Sequence, residues 1–131
     1  MVLRRRSTGL TRYSSIQHVK VSREKRGEPV PTMIVLVNLK EGVAPQEYER
    51  WLKERYVPAI LDLASVDEWR GYRVGGLPES SGAPPYQYVV SVGINDLEQL
   101  GRDMESEQVQ RLLGDLGRYA DVTQLMTERF V

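Results

Sequence analysis

The 131-residue chain contains no cysteine and a single histidine, His18. Without cysteine, disulfides, thiolate nucleophiles and sulfur-ligated metals are excluded, and a cytoplasmic location is in keeping with that absence. One histidine cannot build a metal site of several imidazoles, and no metal or cofactor is expected. His18 also lies in an N-terminal arm, remote from the body in which a Ser-His-Asp or Cys-His pair would have to form. No apolar run reaches the roughly 18 residues of a membrane span. The N-terminal arginines lack the apolar stretch that a secretory signal carries. The chain has no excess of either charge, and its length favours one domain with its own core.

The zero net charge hides a step. Residues 1–31 carry eight basic groups against two acidic ones, a net +6, and the remaining hundred residues carry −6. Such a step separates a solvated arm from a folded body. Arg4, Arg5 and Arg6 have neither interleaved aromatics nor a helical basic face, so nucleic acid is not expected as a partner. Pro29 and Pro31 read as a linker, and the arm as a disordered tail, or as sequence preceding a true start at Met33.

The body, residues 32–131, reads as alternating strands and helices. "TMIVLVNLK" (32–40) is β-branched and aliphatic, the pattern of a central strand. After "EGV", Ala44 caps and Pro45 opens a helix to about residue 64. "VDEWRGYRVGGL" (66–77) is a second strand, with Gly71 a candidate bulge. "PESSGAPP" (78–85) is a loop and "YQYVVSVGI" (86–94) a third strand. Asp96, with Gln99 three residues on, marks a helix start, and Ser106 marks another. Val109, Leu112, Leu113 and Leu116 recur at helical spacing, and residues 120–131 close as a fourth strand. The order β-α-β-β-α-β is that of the ferredoxin-like α+β fold, with helices on one face of an antiparallel sheet. The uncovered face needs a partner, and two copies packed sheet to sheet would make a homodimeric α+β barrel.

One residue in the first helix breaks the amphipathic pattern. On a wheel of about 100° per residue with Tyr48 at zero, Leu52 falls at about 40° and Ala59 at about 20°. Arg55 falls at about −20°, inside the apolar sector. A buried guanidinium must meet a carboxylate, a carbonyl, water or a ligand. One reading is an internal pair with Glu128 or Glu54, or a side chain that snorkels to the rim. The other is a polar group in a helix–sheet cavity that holds an anionic or carbonyl-bearing ligand. Val57 precedes Pro58, which predicts a kink there. Period-2 alternation offers Asn38, Arg73 and Tyr88 as further ligand contacts, with Trp51 beside them on the helix. Without histidine or cysteine in the body, acid–base work falls to carboxylates and tyrosines. Glu128 is the first candidate, with Arg55 and Tyr56 beside it. Gly75-Gly76 follows a strand without opening a helix and is not a phosphate loop.

"VNLKEG" (37–42), "WLKERYVP" (51–58), "PPYQY" (84–88) and "VTQLMTERF" (122–130) together resemble the RedY-like, HapK-type family, over residues 33–131. That family comprises small dimeric α+β barrel proteins of prodigiosin-type pyrrole pigment biosynthesis and related pathways. The resemblance implies a homodimer that binds, and converts without cofactor, a planar apolar or aromatic intermediate by dehydration, condensation or cyclisation. The wider superfamily also holds cofactor-free oxygenases. A non-catalytic carrier or sensor is the alternative. In the family an acidic residue and a tyrosine commonly stand between the arginine and the proline. Here Tyr56-Val57 occupies those positions, a departure at the point where acid–base chemistry would sit.

Overall fold

A computed structural model describes residues 31–131. The readings made for the arm, His18 and Arg4–Arg6 included, lie outside the described residues. Strand β1 (Pro31–Leu39) leads through a turn at Gly42, whose φ of 87° suits glycine, into α1 (Pro45–Trp51). Ala44 takes the extended cap position and Pro45 the first helical position, as the sequence predicts. A π-helical turn (Leu52–Tyr56) joins α1 to α2 (Val57–Leu61). Then follow β2 (Val66–Arg73), β3 (Tyr88–Ile94), α3 (Leu97–Met104), α4 (Glu107–Tyr119) and β4 (Ala120–Glu128). The four strands form one antiparallel sheet in the order β2-β3-β1-β4. This is the ferredoxin-like arrangement that the element order predicts.

Both helix starts in the second half are made by the residues read as caps. The Asp96 carboxylate accepts from the backbone N–H of Glu98 and Gln99, and the Ser106 hydroxyl accepts from Val109. The Gln99 side chain does not close a capping box. Its amide donates instead to Asp103, which also accepts from the backbone and hydroxyl of the fully buried Ser65. That carboxylate ties the α2–β2 turn to α3.

Directly paired residues share a sheet face, so the register assigns both faces. Val35 and Val37 pair with Val90 and Tyr88 on one side, and with Gln124 and Val122 on the other. Val35, Val37, Tyr88 and Val90, with Ile94, Tyr48, Leu52, Tyr56, Ile60, Leu100 and Leu116, make the core beneath the helices. On the opposite face Ile34, Leu36 and Val89 are half-buried, and Leu125 and Tyr72 are exposed. β1 is central, but only its helix-side residues are fully buried.

Two local expectations are overturned. Gly71 is not a bulge: its pairing with Val90 is regular, and the irregularity lies between Val66 and Glu68. Arg73 therefore keeps the same face as Trp69. Nor does the chain leave the helical region before Pro58, because Val57 has φ −63° and ψ −45°. The strain takes another form. A proline ring clashes with the carbonyl four residues back, here Glu54. The turn before it widens, and the Val57 N–H reaches the Leu52 carbonyl, five residues away.

Candidate functional site

A cavity lies between the helices and the sheet. Its volume is about 50 Å³, and it is partly open to solvent. One water needs about 10–15 Å³, so the unliganded cavity has room for about three to five. Its floor is the sheet, from Met33, Val35 and Val37 across to Val90, Val92 and Trp69. Its roof is Leu52, Ile60, Leu63, Leu100, Met104 and Leu116. Val122 and Gln124 of the edge strand β4 line it while remaining exposed to solvent.

Oxygen enters this apolar lining chiefly through Tyr48, Tyr56 and Gln124. Tyr48 is 1% exposed and Tyr56 9%. Among the described residues no protein group hydrogen-bonds to either hydroxyl, although buried hydroxyls are ordinarily paired. Burial pushes Tyr56 up to about 12. Burial, reinforced by Tyr56, Tyr88 and Glu49, raises Tyr48 as well. Both are therefore protonated at neutral pH.

Arg55 is not in the cavity. Its side chain is exposed, and among the described residues it forms no ion pair. The wheel placed it inward because it assumed a regular α-helix. A π turn rotates the chain less per residue, so Tyr56 takes the inward position and Arg55 turns to solvent. Glu128 is exposed at the end of β4, opposite Pro31, and does not line the cavity. Asn38 lies on the open sheet face and secures the loop before β3: its amide donates to the Pro85 carbonyl, and its oxygen accepts from Gln87 N–H. Trp51 stacks on Tyr119, ring centroids 4.8 Å apart, and packs against Tyr56 at 5.3 Å. It buttresses the cavity wall from behind.

Arg73 and Tyr88 do converge, on a residue the sequence reading passed over. The Glu49 carboxylate accepts two hydrogen bonds from the Arg73 guanidinium, at 2.8 and 2.7 Å, and one from the Tyr88 hydroxyl at 2.7 Å. Those bonds, Arg73 foremost, hold Glu49 down at about 2, while burial and the Glu49 charge push Tyr88 up to about 12. The Tyr88 ring packs on Tyr48 with centroids 5.1 Å apart, so this latch braces a cavity tyrosine from outside. Glu49 is legible only once Arg73 and Tyr88 are known to be cross-strand partners beneath the first turn of α1.

The family model of REDY-like protein HapK matches residues 31–130. Among solved structures the chain is similar to HapK from Hahella chejuensis. The identity is 26% and the TM-score 0.64, over 76% of this chain and 92% of that one. The fold is also that of a hydroxynitrile lyase from Passiflora edulis, at 10% identity and TM-score 0.64, over 77% of this chain and 94% of the other. It is shared too by a dimeric ferredoxin-like protein from Thermobifida fusca, at 10% identity and TM-score 0.59, over 77% and 92%. No curated protein matches the chain. With the match running through every strand and helix described above, the chain belongs to the REDY-like HapK family.

Proposed function

We propose that this protein acts on a small molecule in natural-product biosynthesis. Its cavity would take a planar, largely apolar intermediate of the pyrrole or aromatic class that bears one hydrogen-bond-accepting oxygen. The observation that carries this reading is the pair of buried tyrosines, Tyr48 and Tyr56, whose hydroxyls have no hydrogen-bond partner among the described residues and which line a largely apolar cavity. A ligand carbonyl or hydroxyl placed there satisfies groups whose burial is otherwise costly. The reaction proposed is a cofactor-free condensation or dehydration. Such a step gains from a donor at the oxygen that departs as water and from walls that keep bulk water from reversing it. Tyr56, one of the three acid–base candidates offered by the sequence with Glu128 and Arg55, would be the donor.

A second reading, a carrier that shelters a reactive intermediate, draws on a separate observation: among the described residues, none that lines the cavity is a carboxylate. Single-turnover assays with formylpyrroles and their condensation partners separate the two. Faster product formation that is lost in Tyr56→Phe supports the enzyme. Tight binding without acceleration supports the carrier. No binding of any planar aldehyde, together with no small molecule co-purifying by mass spectrometry, would refute both.

The partner proposed is a second copy of the chain. Ile34, Leu36, Val89, Leu125 and Tyr72 leave an apolar sheet face that the helices do not cover. Light scattering should report twice the 15.0 kDa chain mass, and a monomer at micromolar concentration would exclude this. Among the described residues no helix is long and apolar enough to cross a membrane.

A further inference from the structure

Gly71 has no backbone reason to be glycine. It sits in the regular part of β2, and its φ is not positive. Glycine inside a strand weakens it, and it commonly marks a place where something approaches the backbone closely. Here the approaching group is visible. A Cβ built on Gly71 would stand 2.8 Å from Cζ3 and 3.1 Å from Cη2 of Trp69. Real Cβ atoms essentially never come within 3.0 Å of another heavy atom. The indole of Trp69 therefore lies over the bare backbone of Gly71, in space that any other residue would fill.

That indole is part of the cavity floor. Trp69 lines the cavity, as do its cross-strand partner Val92 and Gly71's partner Val90. Trp69 remains half-buried while the valines are buried, so a ligand can still reach the ring. An aromatic surface held against the floor of an apolar cavity favours an offset-stacked aromatic partner. Leu63, Ile60, Leu100 and Met104 line the same cavity and supply aliphatic and thioether contacts.

We infer that Trp69, seated on Gly71, is an aromatic stacking platform in the cavity floor that favours flat ligands over non-planar ones, and that Gly71 is the residue that lets the indole lie against the strand. This rests on the cavity reading above and names the class of ligand it takes. A side chain at position 71 would displace the indole from the strand and so spoil the flat surface it presents.

The test titrates the full-length protein by calorimetry with a flat probe, 2-formylpyrrole, and a non-planar probe of similar size, cyclopentanecarbaldehyde. Gly71→Ala is expected to weaken the flat probe about tenfold or more, the scale of overpacking in a filled site. The non-planar probe should change less than about threefold on the same reasoning. In a Trp51→Phe background, which leaves Trp69 as the sole tryptophan, Gly71→Ala should also shift Trp69 emission before any probe is added. Trp69→Leu should abolish the preference for the flat probe, and Gly71→Ala added to Trp69→Leu should then do nothing further. Equal weakening of both probes, no weakening of either, or a Gly71→Ala effect that persists in Trp69→Leu would each overturn the platform and leave the cavity reading intact. Failure of the parent protein to bind either probe would overturn both.

Discussion

The Glu49–Arg73–Tyr88 latch permits a quantitative prediction. Glu49→Gln keeps the shape and an acceptor oxygen and removes the charge. The Glu49 carboxyl lies at about 2 in the folded chain against an ordinary 4.5, chiefly because Arg73 and Tyr88 donate to its ionised form. Taken whole, that difference corresponds to roughly 3 kcal/mol. The Arg73 side chain is 74% exposed and that of Glu49 18%, so water and salt screen the pair. A contribution of about 1–2 kcal/mol is the reasonable expectation. A depressed carboxylate stabilises the fold above its unfolded-state value and loses that contribution as pH falls through the folded-state value. The window is thus from about 4.5 down to about 2. Urea unfolding of parent and Glu49→Gln at pH 7, 4 and 2.5 should show a gap of about 1–2 kcal/mol at neutral pH that narrows steadily towards pH 2. The other carboxylates titrate in both proteins and cancel in the difference. Raising the salt to about 1 M should shrink the neutral-pH gap, since screening then acts within about 3 Å. A gap independent of both pH and salt would mean that the charge contributes nothing and that the latch works by shape alone.

Three further outcomes follow from the same geometry. Tyr56→Phe removes a buried hydroxyl that has no hydrogen-bond partner among the described residues, so the unliganded protein should be as stable as the parent or more so, while affinity for an oxygen-bearing ligand falls about tenfold. A substantial loss of stability in the free protein would show that the hydroxyl has a structural partner. Arg55→Ala should alter neither unfolding free energy, beyond about 0.5 kcal/mol, nor ligand affinity, because the side chain is exposed and outside the cavity. Loss of binding in that variant would restore the arginine to the site. Asp96→Ala should cost about 1 kcal/mol in chemical denaturation by stripping acceptors from Glu98 and Gln99 N–H, and no measurable cost would mean that water replaces the cap freely.

How much of this was legible varies with the range of the interaction that decides each feature. β1, β3 and the two caps rest on side-chain pattern and on hydrogen bonds spanning two or three residues, and those are written in the chain. The strand ends were less so. β2 stops at Arg73 and not at residue 77, and β3 begins at Tyr88 and not at Tyr86, because pairing is set by partners far along the chain. The candidate site divides the same way. Arg73 and Tyr88 belong together, as their types allowed, but what joins them is Glu49, placed by the way α1 crosses the sheet. Asn38, offered as a ligand contact, and Glu128, offered as an acid, lie outside the cavity lining, and the register that places them there is not written in the local sequence.

The first helix is the instructive failure, because its correction was present in the sequence. A regular helix read from Tyr48 points positions 55, 59 and 62 inward, at about 100° per residue. Those are an arginine, an alanine and an aspartate. The residues that face the cavity are Tyr56, Ile60 and Leu63, each one position later. A single extra residue in the turn Leu52–Tyr56 accounts for the whole displacement. Two signals pointed to it. The apolar residues Tyr48, Leu52, Tyr56 and Ile60 follow one another at uniform steps of four, where a regular helix alternates threes and fours to stay on one face. And Pro58 lies one turn beyond, with a ring that a regular helix could not hold against the Glu54 carbonyl. The misplaced charge was therefore evidence about the backbone before it was evidence about a ligand. Once the wide turn is allowed, the anomaly at Arg55 disappears, and a tyrosine lines the cavity where a regular helix would place a guanidinium.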